Sequence, residues 1–206
     1  MGKIKRTNGV RVHYNSPVIL TFSIVVIFVR LVSIVWPGFT TRFFTIGPSI
    51  SNPLDVVRLV SHVIGHASFE HLLSNLTLLL LLGPILEEKY GSVNLVWMML
   101  VTALVTGIIN VLFFPTGLLG ASGIVFMLII LASIVNLKEN TIPLSFILVF
   151  CIFVGNELLQ SFARDNISQM AHIVGGGVGA LFGFKLARGS GRGQTTSGGQ
   201  TTSEGT

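Results

Sequence analysis

Charge is what this sequence has least of. Asp, Glu, Lys and Arg make up 10% of its 206 residues, against about 25% in a soluble globular domain. With half of the residues apolar and a mean hydropathy of +0.80, that shortage excludes a water-soluble domain and points to one domain built for lipid. Cysteine is nearly absent too. The single Cys151 rules out an intrachain disulfide and leaves the redox compartment open. No small-residue cleavage site with a soluble domain behind it follows the first apolar run, so no cleavable signal is expected. Acidic residues are the scarcer charge, eight against thirteen basic. In a soluble protein the net +5 would suggest nucleic acid, but here the basic residues lie between apolar runs and report topology instead. No nucleic-acid partner is expected; the lipid bilayer is.

What the chain does have is six apolar runs, at 18–36, 72–86, 93–114, 122–136, 142–159 and 170–187. Most approach the roughly 20 residues a helix needs to cross hydrocarbon, so the expected fold is an all-α membrane protein with six transmembrane helices. Residues 37–70 are too polar to span and are expected as a long first loop. Its short apolar patches, such as 56–60, suit the membrane interface. Lys3, Lys5, Arg6, Arg11, Lys89, Lys138, Lys185, Arg188 and Arg192 fall on one side of this arrangement, and Arg42, Arg58 and Arg164 on the other. Nine against three places both termini in the cytoplasm of a multi-pass cell-membrane protein. Arg30 falls inside the first run and must face protein or snorkel. The expected organisation is a cytoplasmic segment at 1–16, a six-helix domain at 17–188, and a disordered Gly/Ser/Thr/Gln-rich cytoplasmic tail at 189–206.

Ionisable and polar groups at membrane depth are expensive and mark function by default. The second run opens with His71 and Asn75, the fourth with Gly120-x-Ser122-Gly123, and the sixth with Ala171-His172 before a glycine-rich stretch. Counting up from the cytoplasmic helix ends puts Ser122 and His172 about 20 Å deep, and Asn75 and His71 at roughly 18 and 24 Å, at 1.5 Å per residue. All four share one layer below the outer face. A serine hydroxyl is a weak nucleophile until a base takes its proton, and histidine titrates near neutral pH, so Ser122 and His172 are the candidate catalytic pair. An oxyanion needs fixed donors. The N–H groups of Ala121 and Ser122, at a helix start, and the side chains of His71 and Asn75, four apart on one face, can supply them.

Helices in lipid associate through small residues. Gly175, Gly179 and Gly183 recur every fourth position on the last run, and Gly123 follows the serine on the fourth. Together they are the candidate contact that brings Ser122 and His172 close.

The motifs His71-x-x-x-Asn75, Gly120-x-Ser122-Gly123 and Ala171-His172-x-x-Gly175-x-x-x-Gly179, in this order, resemble those of the rhomboid family of intramembrane serine proteases. The resemblance covers about 58–183. It implies a six-helix rhomboid bundle and a Ser-His dyad without a third acid. It also implies an oxyanion hole using His71 and Asn75, an active site opening toward the outer face, and a fifth helix acting as a mobile gate. The implied substrates and partners are single-span transmembrane proteins with small or helix-destabilising residues near the cut. Arg58 fits the arginine that members carry in the first loop, but Val57 replaces its usual aromatic neighbour. Phe126 stands where members often have a tyrosine stacked on the histidine. His62 and His66 match histidines ahead of the HxxxN motif.

Other readings are weaker. His62, His66 and His71 lack the carboxylate or cysteine company and the spacing of a metal site, so neither metal nor other cofactor is expected. Glu87 and Glu88 read as a cytoplasmic boundary. A transporter would place ionisable groups at the bilayer midplane of repeated halves. The alternative function is a catalytically inactive rhomboid-like protein that binds membrane proteins, which would ordinarily have lost Ser122 or His172.

Overall fold

The computed structural model describes residues 14–137, 144, 147, 148, 151, 152, 155 and 167–191. In chain order these form α1 (Pro17–Val35), α2 (Phe39–Phe44), α3 (Pro53–Ser61), a 3-10 turn η1 (His62–Ile64), α4 (Phe69–Tyr90), α5 (Ser92–Phe113), α6 (Ser122–Leu137) and α7 (Ile167–Gly191). The six separately described residues from 144 to 155 are helical, with Cys151 exposed. Most of the expected fifth span, the N-terminal segment to residue 13 and the tail from residue 192 lie outside the described residues.

Among the described residues, α1, α4 and α5 are long and apolar enough to cross a membrane, by length and composition. Shorter apolar stretches, Ser122–Ser133 and Ala171–Phe182, fall within α6 and α7. Two helices extend beyond the apolar runs expected for them. Helix α4 starts at Phe69, before the apolar run, because the Ser68 hydroxyl accepts the His71 N–H at 3.1 Å and caps it. Helix α7 runs through Gly191, past the tail boundary expected at Gly189. Glycine weakens a helix by only about 1 kcal/mol and does not end one without a capping contact.

The segment between α1 and α4, expected as loop, is built as carefully as the spans. Asn52 and Asp55 form a capping box at the start of α3. Asn52 Oδ1 accepts from the Leu54 and Asp55 N–H groups, and Asp55 Oδ2 from Ser51 and Asn52. Asp55 also pairs with Arg58, which donates in addition to the Arg42 carbonyl at the end of α2. Further on, Ile46 and Leu118 exchange backbone hydrogen bonds of 3.1 and 2.9 Å, tying the segment to the loop before α6. Helix α3 rests on α5 at Gly107, where a Cβ would run into the Leu59 carbonyl.

Helix α6 is the centre of the bundle. Ile124, Val125, Met127, Leu128, Ile129 and Leu131 are all buried, so no broad face of its first half meets lipid. Outer helices pack around it, and α1 reaches α4 where Ile19 fills the space beside Gly83. Arg30 faces protein: its guanidinium carbon lies 5.2 Å above the centre of the Phe69 ring, a cation–π contact that lessens the cost of a charge at that depth.

Glu87 does more than mark a boundary. Its buried carboxylate accepts the Val18 and Ile19 N–H groups at 3.0 and 3.1 Å and the Ser92 hydroxyl at 2.7 Å. Ser16 makes no side-chain cap, so Glu87 satisfies the open N-terminus of α1 from the far end of α4 and holds the start of α5 as well. Hydrogen bonds to charged groups contribute about 1.5–3 kcal/mol each, so Glu87→Ala is expected to cost at least about 3 kcal/mol and Glu87→Gln roughly half of that. Denaturant titration in detergent micelles measures it; an Ala variant as stable as wild type would show the cap to be dispensable.

Candidate active site

Ser122 is the first residue of α6, buried at 6% exposure. The turn that delivers it depends on Gly120, whose φ of 123° lies where side-chain-bearing residues rarely go. A Cβ there would also lie 2.5 Å from Cε1 and 2.7 Å from Nε2 of His71. Glycine at 120 therefore does two things: it makes the turn and lets the Cε1–Nε2 edge of the His71 imidazole come close to it.

The first-loop histidines hold this turn from the other side. The Gly120 N–H donates to the His62 carbonyl at 2.9 Å. His62 itself bridges the Arg58 carbonyl at 3.2 Å and the Thr106 hydroxyl at 3.3 Å. His66 Nδ1 lies 3.3 Å from the Ile64 carbonyl, and its Nε2 accepts the Ala121 N–H at 3.5 Å. A carbonyl partner requires the proton on Nδ1, which leaves Nε2 as acceptor in both rings. Burial pushes His62 down to about 4, and burial together with neighbouring His71 pushes His66 to about 3, so both are neutral at pH 7. His66 and His71 meet edge to face, 5.1 Å between ring centres, while His62 turns toward α5. The three do not converge on a point, and among the described residues no three His, Cys, Asp or Glu side chains could hold a metal ion.

Asn75 is buried one turn below His71. Its Nδ2 donates to the His71 carbonyl at 3.0 Å, and its Oδ1 has no partner. One N–H of the amide is left over for another acceptor.

His172, also 6% exposed, comes from α7. Its ring stacks on Phe126, with centres 4.2 Å apart and planes 7° from parallel. Phe126 follows Ser122 by four residues, which puts both on one face of α6 about 6 Å apart along its axis. The stack thus holds the imidazole against the face that carries the serine, and the aromatic ring at 126 provides it without a tyrosine hydroxyl.

Glycines set how near α7 comes. A Cβ on Gly175 would run into the Gly123 carbonyl, and one on Gly179 would lie 2.6 Å from the Met127 carbonyl oxygen and 3.0 Å from its Cα. At Gly123 a Cβ would sit 3.4 Å from the Ala171 carbonyl. Gly177 has nothing within 4 Å of its Cβ position. Gly183 lies one turn beyond Gly179 in the same helix.

Two features escaped the sequence reading. Thr102, Thr106 and Asn110 form a buried polar stripe on α5, and Asn110 donates to the Thr116 carbonyl at 3.1 Å, fixing the loop before Gly120. Their four-residue spacing was the signal. The Ala121 N–H, read from the sequence as uncommitted to the helix ladder, donates to His66 Nε2, and no sequence pattern announces that contact.

A model of the Rhomboid domain family matches residues 53–189. Over 133 residues the chain is 26% identical to "Rhomboid protease GlpG" of Haemophilus influenzae, covering 63% of this chain and 69% of that protein. It is also 32% identical over 141 residues to "Rhomboid-related protein 1" of Caenorhabditis elegans, covering 62% of this chain and 39% of that protein.

Proposed function

The chain belongs to the rhomboid family, and on that premise we propose that it is an intramembrane serine endopeptidase that cuts the transmembrane segments of single-span proteins with a Ser122–His172 dyad. In this reading the Ser122 hydroxyl attacks the scissile carbonyl carbon while His172 takes its proton. His172 passes that proton to the leaving amine, then takes one from the water that attacks the acyl-enzyme ester and returns it to the Ser122 oxygen as the ester bond breaks. The observation that carries the reading is the stack of His172 on Phe126, one turn from Ser122.

The oxyanion falls to the Ser122 N–H, outside the helix ladder as the first residue of α6, and to the free N–H of Asn75 with the His71 imidazole. The Ala121 N–H joins them only on leaving His66, over a bond already long at 3.5 Å. The bundle crosses the membrane six times, with both termini in the cytoplasm and the site opening toward the outer face. The dyad needs no cofactor.

Purified protein in liposomes, mixed with several single-span reporters, tests the activity. Products ending inside the reporter's transmembrane segment are expected; cuts confined to the soluble portions, or none with any reporter, would remove it. Asn75→Ala is expected to lower kcat by about 10²-fold, the usual cost of one oxyanion donor, with KM little changed. Unchanged kcat would return Asn75 to a packing role.

A further inference from the structure

Among the described residues the bundle does not close between α1 and α5. A cleft of about 760 Å³ runs down the gap, with Val18, Phe22 and Val25 on one wall and Val96 and Met99 on the other. Val60 and Ile64, from α3 and η1, roof one end; Pro17 and Ser92 mark the opposite end. Ile124, two residues after Ser122, forms part of the back.

Size and chemistry select what fits. The lining on α5 runs from Ser92 to Ala103, about 17 Å at 1.5 Å per residue, which is about half of a hydrocarbon core some 30 Å thick. At about half the thickness of the core, the cleft is too short to seat a spanning helix along its length, whereas an acyl chain of that extent fits it. Among the described residues no lining side chain is charged, and of their three hydroxyls, Ser92 is bonded to Glu87 and Thr21 to Tyr14. Water would find few partners there, and an empty apolar cleft forfeits the dispersion contacts of its walls. A hydrocarbon chain meets every requirement, and the cleft adjoins the lipid-facing surface of α1, where Ile24 and Phe28 are exposed.

We propose that the cleft is an acyl-chain site, occupied by the tail of a lipid from the leaflet at the Pro17 end. The chain packs beneath η1 and behind α6, the two elements that hold Gly120 and carry Ser122, and so braces the turn from below. Any effect on proteolysis rests on the function proposed above; occupancy does not, and it is measured without catalysis.

The test uses the full-length protein in liposomes doped with phosphatidylcholines carrying a photoactivatable diazirine either near the glycerol or at the chain end. Adducts are mapped by mass spectrometry. The near-glycerol probe is expected to label the Val96 region and the chain-end probe the region of Val60 and Ile64. Val96→Trp or Ala103→Phe, which fill the cleft, should cut this labelling at least five-fold while leaving that at Phe28 and Leu112 unchanged. Equal labelling by both probes along the cleft, the reverse gradient, or labelling that survives both filling variants would overturn the proposal. The gradient is read on the wild type, so it decides the matter even if a filling variant fails to fold.

Discussion

Ser122→Ala and His172→Ala are each expected to take reporter cleavage below detection, a loss on the order of 10⁴-fold or more, and the double variant should be no worse than either single one. Nucleophile and base act as a unit, so removing one leaves the other nothing to do. Ser122→Ala changes one buried oxygen and should leave the fold unaltered. His172→Ala also gives up the stack on Phe126, costing about 0.5–1.5 kcal/mol beyond the lost area, which a thermal melt will register without unfolding. Cleavage within ten-fold of wild type in either purified variant would contradict the dyad.

The second large effect is expected from the glycine face of α7. Valine at 179 would bring Cβ to 2.6 Å from the Met127 carbonyl oxygen, closer than atoms approach. Backbone cannot swing aside as a side chain does, so α6 and α7 must part. A displacement of about 1 Å between reacting groups can cost on the order of 10²-fold in rate. Gly179→Val should therefore lose at least that much activity, although it lies seven residues, about 10 Å, along the helix from His172. Gly175→Val should be worse, since its side chain meets the Gly123 carbonyl itself. Gly177 opens onto free space, so Gly177→Ala should keep its activity and stabilise by up to about 1 kcal/mol through helix propensity. Equal activity and melting temperature across Gly175→Val, Gly177→Ala and Gly179→Val would mean that α7 does not dock on α6 through this face.

That glycine pattern was legible in the sequence because helical periodicity turns a four-residue repeat into a stripe. For the same reason Ser122, His172, His71 and Asn75 stood out: polar groups opening apolar runs are visible one run at a time. What stayed hidden is contact between distant segments. Nothing near Glu87 reveals that its carboxylate caps α1, about seventy residues earlier. Nothing near Ala121 reveals that His66 takes its N–H. The first loop hid its helices because α2 and α3 are short, and the residues that cap α3, Asn52 and Asp55, also read as loop residues. Arg30 was conspicuous, but the Phe69 ring beneath it belongs to the start of α4, beyond reach of any pattern within the first run.

The central claim is that Ser122 is a nucleophile activated by His172, and a fluorophosphonate probe tests it most directly because the probe reacts with activated serines without a substrate. Intact-mass and peptide analysis of the purified protein is expected to find one adduct, on the peptide containing Ser122, formed at least 10²-fold more slowly in His172→Ala. An adduct on another serine, or labelling of Ser122 at an equal rate without His172, would contradict it.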